Sequence, residues 1–397
     1  MTPDQPTRRH VRGRLLVSLL AQIALGLLAM TICLPSMQEW GATFGVDQAQ
    51  VQLTLSGYVL AFGALQLVYG PLSDRFGRRR VLLFGLSLAC VGSVLAALAG
   101  NLVQLALARV LQGAGSAAGT VIGRAMVQDL YHGTERTRVM AYVGMVMGLC
   151  PPLATLIGGR IHLVAGWQAN FVLMALVAFA VLVAAWRSVP PPPAVVGVGR
   201  HWLRDLLESY GRLARERTFV LYVAVLALTY ASFFAFLSGA PVVLRSYGVG
   251  PEGVGWYVMF VTFSYIAGNF ATSRAIRRIG ERGMMRLGQL SAVGGIALML
   301  ALGLAGLKTP LAFAMPLILL GLGHGFLMPP TLAGTVGVIP TLAGAAAAGA
   351  GLMQQLMGAI GSYVVGWVPH DGATNLGIVM MTFTLCSVGA QIALHRR

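Results

Sequence analysis

A chain of 397 residues with 57% hydrophobic and only 10% charged side chains cannot cover a soluble surface, since ordinary globular domains run near ~25% charged. With 51 glycines, which suit closely packed membrane helices, the composition excludes a soluble enzyme, a disordered chain and a disulfide scaffold. The net charge of +16 comes from 27 Arg and one Lys, mostly in short loops between apolar runs, which is the footprint of the positive-inside rule and not of a nucleic-acid groove.

A membrane-spanning helix needs ~20 apolar residues. The hydropathy pattern predicts twelve such spans, at 14–36, 51–72, 80–99, 104–127, 138–162, 168–187, 218–242, 253–275, 284–305, 310–332, 343–367 and 374–394. The basic stretch Arg8 to Arg14 leads into the first span and does not read as a cleavable signal, because further spans follow. Twenty-four of the basic residues fall on the side that holds both termini, and three, Arg160, Arg245 and Lys308, on the other. That bias predicts cytoplasmic termini. Arg109 is left over, inside the fourth span. Cys33, Cys90, Cys150 and Cys386 lie in apolar segments without metal-ligand spacing, so neither a metal nor a disulfide set is expected.

The longest polar break, 188–217, opens with Pro190 to Pro193, which cannot be helical and stiffens a linker. Arg200 to Arg217 then reads as a basic amphipathic helix on the membrane surface, with Trp202, Leu203, Leu206, Leu207 and Leu213 as its apolar face. The break divides the spans six and six. The predicted architecture is therefore an all-α polytopic protein: a six-helix bundle at 1–187, a cytoplasmic linker at 188–217 and a second six-helix bundle at 218–397. An echo between Gly70–Arg78 after span 2 and Gly268–Gly280 after span 8 points to an internal repeat, and repeat-built transporters place their site between the halves.

Three segments carry specific chemistry. Gly70 to Arg80 reads GPLSDRFGRRR, with Gly70 and Gly77 permitting close turning and Asp74 placed to pair with Arg75, Arg78 or a neighbouring helix end. The alternative is a plain basic anchor. Arg109-Val110-Leu111-Gln112-Gly113 puts a guanidinium inside an apolar span, which marks a functional site or a side chain snorkelling to the interface. Gly144-Met145-Val146-Met147-Gly148-Leu149-Cys150-Pro151-Pro152, ending at Gly158-Gly159, bends span 5 and lets another span pack close. It also fits ordinary glycine-rich packing.

These segments resemble, in order, the signature loop, the R-x-x-Q-G pattern and the antiporter pattern of the major facilitator superfamily. The finer resemblance is to Bcr/CflA-type multidrug exporters of the twelve-span drug/proton antiporter branch. It is carried by Thr31 to Pro35, Gly123-Arg124 with Gln128 to Tyr131, Gly166-Trp167-Gln168 with Phe171, and Leu237 to Pro241. The resemblance implies two pseudo-symmetric bundles working by alternating access in the bacterial inner membrane. It implies antiport of small lipophilic drugs against protons without a cofactor, and a cytoplasmic charge network on Asp74, Arg78 and Asp129 that latches one state. A monomer embedded in membrane lipid is expected, with no nucleic-acid partner.

One departure bears on the chemistry. Many relatives carry an acidic residue in span 1 where this chain has Thr31, and all twelve acids here fall in loops or at span ends. The midspan titratable candidate is His324, either a coupling residue beside Arg109 and Arg124 or a neutral interior histidine. The candidate cavity residues are Gln22, Met30, Thr31, Tyr58, Gln112, Met145, Tyr230, Phe233, Phe234, Tyr265, Gln354 and Gln355, each of which also fits helix-packing filler. Without a buried acid, the predicted preference is for neutral or zwitterionic lipophilic compounds. A dedicated transporter of one metabolite, of sugar or nucleoside type, is the alternative. A membrane-embedded enzyme lacks a P-loop, zinc spacing or nucleophile motif to support it.

Overall fold

The computed structural model describes residues 5–131, 133–189, 202–369 and 372–396. All regular structure among them is helical. The helices are α1 (Gln5–Thr31), α2 (Met37–Phe44), α3 (Gln48–Phe76), α4 (Arg78–Ala97), α5 (Leu102–Leu130), α6 (Gly133–Ala165), α7 (Trp167–Ser188) and α8 (Trp202–Arg215). There follow α9 (Arg217–Ser246), α10 (Pro251–Leu304), α11 (Pro310–Ala314), α12 (Leu317–Gly337), α13 (Ala343–Val365) and α14 (Ala373–His395). Among the described residues, nine helices are long and apolar enough to cross a membrane. One of them, α10, has 54 residues and turns at Gly280, where φ is 75°, so it is two legs. Gly77, with φ 91°, makes the corresponding break between α3 and α4. Both breaks need a residue without Cβ, and both fall in the segments whose sequences echo each other.

Local chemistry sets the helix ends. Asn101 Oδ1 accepts from the Gln104 N–H, and Thr309 Oγ1 from the Ala312 N–H, each filling an orphan donor of a first turn. Gln50 Oε1 accepts from the Asp47 N–H at the start of α3. The first span, expected to reach residue 36, stops at Thr31. Pro35 brings no N–H to continue the ladder, and a turn leads into α2. That short helix falls where the sequence suggested a connection. Its Trp40 is fully buried against Trp167 and Phe171, which fixes α2 to the bundle.

The helices pack as two groups. α5 is the hub of the first, against α1, α3 and α4, with α7 on α4 and α1. In the second, α9 packs on α13 and α14, and α12 lies against both legs of α10. Gly321 and Gly325 of α12 meet the first leg and Gly323 the second, so alternate residues of one glycine-rich strip face two helices at backbone distance. The groups join along two seams, α3 with α13 and α6 with α10. Residues 190–201, most of the predicted linker, lie outside the described residues. α8 beyond them docks through the buried Leu213 on a cluster with Phe219 and Ala346.

Candidate functional site

Arg109 lies within α5 and is fully buried. Its Nη1 donates to the Ala29 carbonyl and to Gln112 Oε1, both at 2.6 Å, and its Nη2 to the Met30 carbonyl at 3.2 Å. Ala29 and Met30 occupy the last turn of α1, where carbonyls have no partner inside the helix and the dipole is negative. The guanidinium therefore caps α1 from a neighbouring helix. It also stands 4.3 Å from the centre of the Tyr58 ring, a cation–π contact. Gln112 passes the network on, donating to Ser93 Oγ at 2.8 Å on α4. Tyr58 donates to the Gly26 carbonyl at 2.7 Å. Thr31 is buried with its hydroxyl on the Leu27 carbonyl of its own helix, and Gln22 is buried on Ser18. Four helices thus meet at one charge. Arg109 Nε keeps no partner.

His324 lies in α12, inside the span Pro310–Gly337. It is buried, and its ring stands edge-on to Phe233 of α9 at 6.1 Å. Phe233 begins a run of rings through Phe234 and Tyr230, with Tyr230 and Phe234 5.0 Å apart. Gly358 of α13 packs on Phe234 and Tyr230. Arg124 of α5 reaches Met147 Sδ of α6 at 3.0 Å, and Tyr230 of the other group is its electrostatic neighbour. Tyr265 is half-buried on the first leg of α10. On α13, Gln355 is buried against Gly63 of α3, and Gln354 is half-buried near Met328. Met145 is 52% exposed, and Met30 is buried.

The span-5 segment runs along a seam. Gly148 of α6 lies against Ile266, and Gly159 against the Pro251 carbonyl, both on α10. Gly158 faces the other way, onto the Ile32 carbonyl of the first group. A Cβ at Gly158 or Gly159 would run into backbone. Pro151 and Pro152 sit in the continuous helix, and Thr155 Oγ1 donates back to their carbonyls at 3.0 and 2.9 Å. Gly144 lies on the same helix, and its surroundings fall outside the described residues.

At the arginine-rich end, Arg78 Nε meets Asp129 Oδ2 at 2.6 Å, joining the start of α4 to the end of α5. Arg79 donates to the Trp186 carbonyl at the C-terminal end of α7. Arg75 lies over the Phe76 ring, and Gly70 has open space where a Cβ would stand. The side chain of Asp74 lies outside the described residues.

The opposite, arginine-poor end holds residues that sequence reasoning missed. Gln38 of α2 donates to the Pro241 carbonyl at 2.6 Å and accepts from Arg245 through its own carbonyl. Gln52 of α3 donates to the Ser238 carbonyl at 3.2 Å and accepts from Ser362 Oγ at 3.4 Å. Gly366, just past the end of α13, packs on Ala49. Glu39 meets His162 at 3.0 Å. The bonds of Gln38 and Gln52 and the Gly366–Ala49 contact tie the two groups together at one end, while Glu39–His162 joins α2 to α6 within the first group. Buried amides beside span ends were the available signal, but nothing local distinguishes Gln38 from any other interfacial glutamine.

Among the described residues no cluster of His, Cys, Asp or Glu is arranged to hold a metal. The chain is similar to the chloramphenicol resistance protein of Pseudomonas aeruginosa, at 30% identity over 91% of this chain and 86% of the relative. It is similar to multidrug resistance protein D of Escherichia coli strain K12, at 27% identity over 98% of each. It is also similar to a bicyclomycin resistance protein homolog of Haemophilus influenzae, at 27% over 67% of this chain and 68% of that one. Among solved structures, the nucleoside transporter NupG superposes with a TM-score of 0.75 at 13% identity, covering 96% of this chain and 98% of NupG. The D-xylose–proton symporter superposes with a TM-score of 0.74 at 16% identity, covering 96% and 97%. These likenesses show a shared fold. Residues 18–362 match the model of the Major Facilitator Superfamily, and the chain belongs to that superfamily, as a multi-pass membrane transporter and not an enzyme.

Proposed function

We propose that this protein exports small lipophilic drugs from the bacterial cytoplasm across the inner membrane, by proton antiport through alternating access. In this reading the chain crosses twelve times, with bundles at 1–187 and 218–397, the linker at 188–217 and both termini cytoplasmic, and it acts as a monomer in lipid. The legs of α10 count as two crossings, and the 24-to-3 distribution of basic residues supports the orientation. The relatives named for chloramphenicol, bicyclomycin and multidrug resistance support the substrate class.

The observation that carries the charge preference is Arg109. It is buried among α1 carbonyls, and among the described side chains no carboxylate is buried with it. A buried carboxylate is what offsets the desolvation of a lipophilic cation. Among the described residues the fixed charges inside the spans are guanidiniums, Arg109 and Arg124, which repel cations and leave neutral, zwitterionic or weakly anionic compounds. Chloramphenicol, the drug in one relative's name, is neutral. The seam residues and the ring cluster from Tyr230 to His324 supply an apolar wall with few polar anchors, as drug-sized sites have. The bonds of Gln38 and Gln52 across the arginine-poor end fit the state closed to the periplasm.

The test is growth of a pump-deficient host expressing the protein, challenged with a neutral phenicol and with a permanently cationic dye. Protection against the phenicol is expected. Protection against the cation alone refutes the charge argument. Thr31→Asp, which places a carboxylate next to the Met30 carbonyl that holds Arg109, is expected to shift protection towards cations. Everted vesicles with and without a pH gradient test the antiport.

A further inference from the structure

On the outer surface of the second group, the later leg of α10 and α14 enclose a cleft of about 510 Å³. Leu290, Val293, Leu385, Val388 and Ile392 make its walls apolar. Arg286, His395 and Arg396 stand at its mouth on the arginine-rich end, and Gln289 and Gln391 lie deeper. At a rise of about 1.5 Å per residue, Gln391 sits roughly 7 Å further into the membrane than Arg396.

Two glutamines on a lipid-facing wall need partners, because hydrocarbon offers none. Gln289 has one: its Nε2 donates to Ser387 Oγ at 2.8 Å, within the hydroxyl network that ties α14 to Thr229 of α9. Gln391 is only 4% exposed, and its Oε1 has no partner; neither has Nε2 of His395. A half-turn of the Gln391 amide presents an N–H₂ in place of that oxygen.

We propose that this cleft is a binding site for one phospholipid with a net-anionic headgroup, of the phosphatidylglycerol type. Arg286 and Arg396 hold the phosphate, the Gln391 amide donates to an ester carbonyl below it, and the acyl chains lie along Leu290, Val293, Leu385 and Val388. The charges select the headgroup. Arg282 lies one turn before Arg286, and Glu281 is the carboxylate nearest in sequence, so the mouth is net positive and disfavours a headgroup that carries its own ammonium. The layering of guanidinium, amide and hydrocarbon along one cleft matches the layering of a phospholipid and not that of a free anion. The site is independent of what the transporter carries.

The experiment uses the full chain, purified and delipidated. Phosphatidylglycerol, phosphatidylcholine or soluble glycerol 3-phosphate is titrated back, and bound lipid is read by native mass spectrometry alongside the thermal midpoint. Phosphatidylglycerol is expected to bind and raise the midpoint, with phosphatidylcholine much weaker. The double variant Arg286→Gln/Arg396→Gln is expected to lose about 30-fold in affinity, from about 1 kcal/mol per arginine near the surface. Gln391→Leu, which leaves the charge unchanged, is expected to lose about fivefold, the worth of one net hydrogen bond. The double variant Arg277→Gln/Arg278→Gln, on the first leg of α10 at the same arginine-rich end, should bind as the unaltered protein does. Equal loss in both double variants would reduce the effect to surface charge and overturn the proposal. So would unchanged binding in Gln391→Leu and Arg286→Gln/Arg396→Gln together, or stabilisation by glycerol 3-phosphate equal to that by the lipid.

Discussion

Arg109 and Gln112 stand one turn apart on α5, and the guanidinium donates to the amide oxygen over 2.6 Å. Residues three apart share a helix face, so this bond is local. The rest of the arrangement is not. The other donors of Arg109 end α1, and Gln112 reaches Ser93 on α4. A single charge thereby sets the position of the α1 terminus relative to α4 and α5, at the point where the chain turns into α2.

Arg109→Ala leaves the Ala29 and Met30 carbonyls and the Gln112 oxygen bare in a buried place. Each unsatisfied group costs about 1–3 kcal/mol. The variant is expected to insert, to unfold at a markedly lower temperature than the unaltered protein, and to transport nothing. Arg109→Lys should not restore transport, because the donors of an ammonium spread from one point and do not match acceptors divided between Nη1 and Nη2 of a planar guanidinium that also lies over the Tyr58 ring. Transport assays on detergent-purified, reconstituted protein check both, and activity in Arg109→Lys would show that charge alone suffices.

The Arg78–Asp129 pair is partly exposed, with side-chain exposures of 30% and 49%. Exposed pairs contribute about 0–1 kcal/mol, so Asp129→Asn should scarcely change the melting temperature. Transport should nonetheless fall, because a pairing that differs between two states moves their balance. Asp74→Asn in the same loop is expected to abolish transport in a membrane-inserted protein. Normal drug protection by a well-expressed Asp74→Asn variant would remove the loop from the mechanism.

Alternating access requires the arginine-poor end to part. In a background lacking the four native cysteines, Gln52→Cys and Ser362→Cys place two thiols where a 3.4 Å side-chain bond now joins the groups. A short bifunctional cross-linker should stop transport, and a reducible version should let dithiothreitol restore it. Undiminished transport after complete cross-linking would mean that this end stays closed through the cycle.

His324 packs on Phe233 within the glycine strip of α12, a place suited to a neutral ring. His324→Phe keeps the ring contact and removes the titratable group. The expected result is transport at the unaltered level under an imposed pH gradient. Loss of only the gradient-driven component would assign proton carriage to His324.

The sequence by itself determined where the helices lie. Continuous apolar runs of ~20 residues in a bilayer must be helices, since a helix satisfies its backbone within the segment while the alternative, a closed barrel, uses alternating strands of about 10, and the predicted spans match the helices to within a few residues at most ends. It also singled out Arg109 and the span-5 glycines, because a charge in hydrocarbon and a run of residues without Cβ are anomalies visible in one dimension. It pointed to a break after residue 187, since four prolines cannot continue a helix. The tertiary structure alone decided the partners. That Arg109 ends α1, that Gly159 meets Pro251 and that Gln38 and Gln52 bind carbonyls some 200 residues away follow from how the helices pack. No local pattern encodes a bond from one glutamine to a distant carbonyl, because any amide beside a span end has the same composition and the same neighbours in sequence. The helix α2 was invisible for a related reason. Eight residues are too few to show a period, and tertiary contacts hold them in place: Trp40 buried against Trp167 and Phe171, and Gln38 bonded to the Pro241 carbonyl.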